Sequence, residues 1–141
     1  MPTLHVLVDT PLDPAEVIRR LTDFGPGRAD AWVNVDPGGV TVHQQGPNWA
    51  EVTEGNKIGW ERERYTWDAD SGTVSATTLD SNLWATGSGW DYKITAQHSG
   101  SRVEVTARRI GKGILGKITA ALFTVAGKSF IRSVTAKALK P

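Results

Sequence analysis

Between Trp60 and Trp67 the chain reads Trp-Glu-Arg-Glu-Arg-Tyr-Thr-Trp. In a strand, where successive side chains point to opposite faces, this sets Glu61, Glu63, Tyr65 and Trp67 on one side and Trp60, Arg62, Arg64 and Thr66 on the other. Either side places two like charges next to each other. Turned into an interior, such an acid or arginine would orient a polar ligand, or serve as acid or base with a displaced proton affinity. Turned outward, the same residues make cross-strand salt bridges on a solvated face. The pattern leaves both arrangements open. A second constellation runs from Trp84 to Ala96, with Trp84, Thr86, Ser88, Trp90, Tyr92 and Ile94 on one face and Ala85, Gly87, Gly89, Asp91, Lys93 and Thr95 on the other. The first face is expected to point inward. The small Thr86 and Ser88 between two tryptophans would leave space and two hydroxyls, as in a ligand pocket with a few polar anchors. Core packing with a bend at Gly87 and Gly89 accounts for the same residues equally well.

Other reactive residue types do not combine into a site. His5, His43 and His98 are widely separated, there is no cysteine, and no His, Asp and Glu cluster has ligand spacing, so neither a metal site nor a thiolate nucleophile is expected. Gly87-Ser88-Gly89 lacks the G-x-S-x-G spacing of a hydrolase elbow. Gly111-Lys112-Gly113-Ile114-Leu115-Gly116 matches G-x-G-x-x-G, but a dinucleotide site needs a following strand and an acid about 20 residues on, and no acid follows Glu104. These glycines are read as letting the chain turn and a helix approach the sheet closely. No cofactor is expected.

The length of 141 residues suits one domain over 1–141, and hydrophobic and charged fractions of 39% and 22% are those of an ordered globular chain. Residues 1–104 carry a balance of −7 and residues 105–141 a balance of +8. A basic helix lying on an acidic sheet domain explains the asymmetry. The alternative is a basic surface for phosphate groups or anionic lipid. Nucleic acid is not expected as a partner, because no helix-turn-helix, RNP or zinc-finger pattern accompanies the basic segment. Lacking a secretion signal at Met1-Pro2-Thr3-Leu4-His5 and a span of roughly 18 apolar residues, the chain is expected to be soluble and cytoplasmic, without stable membrane insertion. No feature of the sequence addresses oligomeric state.

Leu4-His5-Val6-Leu7-Val8 alternates as a strand, and Asp13-Pro14-Ala15-Glu16 then opens a helix with an N-cap acid, a proline at the first position and a second acid three residues after the cap. A short helical turn through Arg28 to Trp32 follows. From Val40 to Ile110, segments at about Val40–Gln45, Trp49–Thr53, Ile58–Trp67, Thr73–Leu79, Trp84–Ala96 and Arg102–Ile110 read as an antiparallel meander. Gly113 to Leu139 reads as one helix of roughly 40 Å. Its large apolar residues, among them Ile114, Ile118, Leu122, Val125, Phe130 and Val134, cover a sector about 200° wide, with Lys117 and Lys128 opposite. So wide a stripe predicts a helix half-wrapped by a bent sheet or lying over a cavity.

This order of elements resembles the START-like superfamily, also called SRPBCC, which includes polyketide cyclases and dehydrases and the birch-pollen allergens. The Asp9-Thr10-Pro11 turn after the first strand, the Asp23 and Trp32 pair, and Trp90-Asp91-Tyr92-Lys93-Ile94 followed by Gly100-Ser101-Arg102-Val103-Glu104-Val105 carry the resemblance. It implies an α+β helix-grip fold: a curled antiparallel sheet of six to seven strands around a long C-terminal helix, with one or two short helices after the first strand. It also implies an apolar cavity between sheet and helix. Members bind lipids, sterols, hormones or polyketides, and some catalyse ring closure or dehydration. The expected ligand is therefore a small apolar molecule such as a lipid, isoprenoid or aromatic polyketide. From the sheet, Trp67, Trp84, Ser88, Trp90 and Tyr92 are the candidate ligand-binding residues, and from the helix Ile118, Leu122 and Val125. Were the cavity a cyclase or dehydratase site, Arg62, Glu63 or Tyr92 would polarise a carbonyl or move a proton.

Overall fold

The computed structural model describes residues 3–141. Strand β1 (Thr3–Thr10) buries every second residue, Leu4, Val6 and Val8 among them, as the sequence alternation requires. Helix α1 (Pro14–Leu21) is capped by the Asp13 carboxylate, which accepts from the Glu16 amide at 2.9 Å, and it buries Val17, Ile18 and Leu21. A single turn, α2 (Arg28–Ala31), follows. The meander comprises β2 (Val40–Gly46), β3 (Trp49–Gly55), β4 (Trp60–Asp68), β5 (Thr73–Ser81), β6 (Gly89–Gln97) and β7 (Gly100–Arg108), and α3 (Gly113–Ala138) ends the described fold. All seven strands join one antiparallel sheet in the order β1-β7-β6-β5-β4-β3-β2. This is the α+β helix-grip arrangement, with α1 and α2 at the sheet face and α3 packed along β1.

The β4–β5 register shifts between Arg62 and Glu63, leaving Leu79 without a partner in the ladder. Such a bulge bends the strand and re-aims its side chains. On β4 the inward face is Glu61, Glu63 and Tyr65, whereas Arg62 and Arg64 turn outward and pair with Glu51 at 3.5 and 2.8 Å.

Two sequence expectations are corrected. Residues 84–88 are not part of a strand: Trp84 makes an isolated bridge to Gly111, Gly87 takes a φ of +95°, and the chain turns before β6 starts at Gly89. The turn breaks the period of two, so Thr86 is exposed while Ser88 is buried. The second correction concerns α3. Its buried face is made of Gly116, Ala120, Gly127, Ile131, Val134, Thr135 and Ala138, whereas Ile114, Ile118 and Val125 are 82%, 54% and 88% exposed. Close approach explains the choice. A Cβ at Gly116 would lie 2.3 Å from the Leu83 carbonyl oxygen in the loop after β5, and one at Gly127 would lie 2.5 Å from Leu4 Cδ1 on β1, so small residues are required at these contacts, and α3 buries large side chains, Ile131 and Val134, only toward its C-terminus. By length and composition α3 could cross a membrane, yet its inner face is spent on these contacts.

Gly116→Ala is therefore expected to destabilise the protein by about 1–3 kcal/mol through overpacking against fixed backbone. Leu122→Ala, at a residue 65% exposed, should fall well below the roughly 2–5 kcal/mol of a core leucine. Urea unfolding of both variants checks this ordering; a larger loss for Leu122→Ala would contradict the packing described.

Candidate functional site

Between the inner sheet face and α3 lies a cavity of about 470 Å³. Its apolar walls come from Trp84 and Trp90 on the sheet side and from Leu122, Phe123, Phe130 and Ile131 on α3. The Phe123 ring meets Trp84 and Trp90 edge-on at centroid distances of 6.0 and 6.3 Å, joining helix to sheet. Ile58, Trp60, Leu122 and Phe130 line the cavity and are also exposed, which marks its mouth between the β3–β4 turn and α3.

The deep wall is polar and charged. On β3, Ala50 and Val52 point inward and Glu54 continues their face; on β7, Ser101, Val103, Val105 and Ala107 are followed on the same face by Arg109. Arg28 reaches in from α2. It donates to Glu54 at 2.8 Å and to the Leu21 carbonyl at 3.0 Å, and lies 4.6 Å from the Phe24 ring centroid. Arg109 pairs with Glu61 at 3.1 Å and sits over the Trp84 and Trp90 rings at 4.7 and 4.8 Å. Thr78 donates to Glu61 at 2.8 Å, and the Tyr65 hydroxyl donates to Glu54 at 2.6 Å.

Glu63 lies between these two pairs without a cation of its own. It is 2% exposed, and its Oε2 has no hydrogen-bond partner in the protein. Burial, reinforced by the neighbouring Glu61 and Glu54 charges, raises its pKa well above the usual carboxylate range, so its carboxyl is held neutral. Burial would push Glu54 the same way. There the Arg28 guanidinium, with hydrogen bonds from Arg28, Tyr65 and Glu63, outweighs it and keeps Glu54 ionised below its ordinary value. Burial also raises the Tyr65 and Tyr92 hydroxyls, leaving both as neutral phenols that can donate.

Of the residues singled out from sequence, Trp84, Trp90, Tyr92 and Leu122 line this one cavity. Four others lie elsewhere. Trp67 packs half-buried against the core, the buried Ser88 accepts from the Ile110 amide at 2.9 Å, and Ile118 and Val125 are on the outer side of α3. Ser88 departs because of the turn at Gly87, and Ile118 and Val125 because of the close approach of α3; Trp67, near the far end of β4, is reached by neither effect. Arg62 is on the opposite sheet face from the cavity, while Glu63 and Tyr92 are in its wall. Sequence reasoning missed Arg28, Arg109 and Glu54, whereas Glu61 is on the β4 face it had considered turning inward; for Arg109 and Glu54 the signal was a charged residue continuing an inward alternation. Among the described residues no group of three His, Asp or Glu could hold a metal ion.

A sheet curled round a long terminal helix, with an aromatic cavity between them that opens at one mouth, is the START-like architecture, and solved structures bear this out at the level of fold. The chain superposes on the Zhui aromatase/cyclase of a Streptomyces species with a TM-score of 0.78 at 11% identity, over 97% of this chain and 91% of that one. It matches TTHA0849 from Thermus thermophilus at 0.75 and 15% identity, covering 98% and 97% of the two chains. A START superfamily protein from Mycobacterium smegmatis matches at 0.71 and 12%, covering 97% and 93%. At such identities the likeness is one of fold. No protein-family model and no curated protein matches the sequence.

The raised proton affinity of Glu63 has a sign that can be checked. Below the ordinary carboxylate pKa the folded and unfolded states both hold this proton. As pH rises through that value the unfolded chain ionises and the folded one does not, so the residue increasingly disfavours folding until its own pKa is passed. Each tenfold difference in proton affinity is worth about 1.4 kcal/mol. Glu63→Gln carries no such penalty, so its melting temperature relative to the parent should climb between pH 4 and pH 8. A difference that stays flat over this range would contradict a neutral Glu63.

Proposed function

We propose that this protein binds a small apolar molecule, a lipid, isoprenoid or aromatic polyketide, in the cavity between the sheet and α3. The observation that carries the reading is the cavity itself. Its volume of about 470 Å³ falls within the usual range for ligand sites, roughly 300–1,000 Å³, and its mostly apolar and aromatic lining converges on a few buried polar groups. Trp84, Trp90, Tyr92 and Leu122 are the proposed contacts, with Phe123 and Phe130 added from α3. The reading is that of a soluble, cytoplasmic protein that needs no metal or cofactor and has no nucleic-acid partner, with α3 remaining on the sheet.

The second reading is a cyclase or dehydratase acting in the same cavity. It is favoured by the concentration of proton-bearing groups on the deep wall. Tyr92, kept as a neutral phenol, could hydrogen-bond a carbonyl oxygen, and Glu63, whose proton affinity burial raises, could pass a proton on. The aromatase/cyclase named among the similar structures points the same way for the fold, though fold alone does not carry an activity.

Native mass spectrometry of protein purified from its own host tests the binding reading. A retained apolar compound is expected, lost on Ala126→Trp, which fills the mouth, and kept on Val125→Trp, which projects from the outer side of α3. Absence of any adduct from the parent protein, or equal retention by both variants, would contradict it.

A further inference from the structure

Between Ile114 and Val125, α3 carries large apolar side chains that nothing in the protein covers. Ile114, Leu115, Ile118, Leu122 and Val125 are all exposed, and at 3.6 residues per turn they fall in a sector about 100° wide. The contacts of Gly116 with the Leu83 loop and of Gly127 with β1 fix the opposite side of the helix, so this sector stays outward. The cavity uses Leu122 but not Ile114, Leu115, Ile118 or Val125. Through Leu122 the apolar sector therefore runs into the cavity mouth, whose other side is lined by the exposed Ile58 and Trp60. Contiguous apolar surface of this kind with a polar rim marks an interaction site.

The rim is positive. No acid follows Glu104, and on α3 the exposed Lys117 and Lys128 lie about 40–60° round the helix from Ile114, with Arg132 about two turns beyond Val125. Lys57, next to Ile58, is exposed across the mouth. None of these four bases has a carboxylate partner among the described residues. Asp80, an exposed acid near the start of α3, is paired with Lys112 at 3.6 Å. A second copy seated face to face would set these bases against their own counterparts. An anionic bilayer suits them better: an amphipathic helix sinks its apolar side into the interface while its bases meet the headgroups.

We propose that the protein docks on anionic lipid membranes through the Ile114–Val125 side of α3 and the turn at Ile58, with α3 staying on the sheet, and that this contact sets the cavity mouth against the bilayer. The docking stands on exposure and charge. That the ligand enters and leaves there rests on the binding reading above. By this route an apolar molecule passes between bilayer and cavity without crossing water.

Flotation with phosphatidylcholine vesicles, with and without roughly 30% phosphatidylserine, tests the docking. The protein is expected to bind the anionic vesicles at least about tenfold more tightly than the neutral ones, and to lose that advantage as NaCl rises from roughly 0.05 to 0.5 M. Val125→Asp should weaken binding by at least about tenfold, whereas Leu7→Asp, the same change of charge at an exposed apolar residue on the outer face of β1, should stay within about twofold of the parent. Both sites are exposed, and circular dichroism checks that both variants fold. Should Val125→Asp not fold, Lys117→Ala with Lys128→Ala takes its place and is expected to reduce binding to the anionic vesicles alone. No binding to anionic vesicles, equal binding to neutral ones, or equal loss at Leu7 and Val125 would overturn the docking surface. So would a dimer in solution that Val125→Asp disperses, which would give the face to a second copy. The apolar adduct expected in native mass spectrometry reports on the binding reading separately: without it, vesicle binding would leave the docking in place and remove the ligand route.

Discussion

Two guanidinium groups, those of Arg28 and Arg109, are 4% and 1% exposed, inside the domain beside its apolar core. Taking each out of water costs several kcal/mol unless an anion and further acceptors replace the solvent. Much of the deep wall answers that requirement. Glu54 sits at the end of the inward series on β3, Glu61 is aimed by β4 beside the bulge, the carbonyls of Leu21 and Asp23 converge where α1 ends, and aromatic rings cover the flat faces of both cations. Once both arginines are neutralised by partners, a third carboxyl can remain in the same wall only by keeping its proton. Glu63 is that carboxyl, and its neutrality follows from charge counting and burial together.

The apolar half of the cavity depends on a different constraint, the distance between α3 and the sheet. Glycine and alanine at 116, 120 and 127 bring the helix backbone close to the Leu83 loop and to β1, so over these turns the helix does not fill the interior with large side chains. Leu122, Phe123 and Phe130, lying beside these contacts, hang over the space that remains. The exposed Ile114, Ile118 and Val125 are the counterpart of this geometry.

The fold was largely legible in the sequence, because it is written in periods. Alternation in Leu4–Val8 and in the later strands, the Asp13-Pro14 start of α1 and the proline-free terminal segment each state a local preference that the tertiary structure keeps. The site was legible only in part. Trp90 and Tyr92 lie inward because β6 is regular there, but the run from Trp84 to Ser88 reads as a strand only if Gly87 is treated as extended, and its positive φ turns the chain. The helix was misread over its earlier turns because hydrophobicity was taken as the mark of the buried face, whereas close packing there selected Gly116, Ala120 and Gly127; Val134, from the apolar stripe, is buried. Arg109 and Glu54 continue apolar inward series and so carried a signal; Arg28, on a four-residue turn, carried none that periodicity could detect.

The central claim is that Glu63 is a neutral carboxylic acid in the folded protein at physiological pH. Carbon-detected NMR of the glutamate side-chain carboxyl carbons, followed from pH 4 to pH 8 and assigned by comparison with Glu63→Gln, measures this at the site itself. The account predicts that the Glu63 carbon keeps the shift of a protonated carboxyl at pH 7 while that of Glu54 is already the ionised form at pH 4.5. A Glu63 resonance that titrates near the ordinary glutamate value would contradict it.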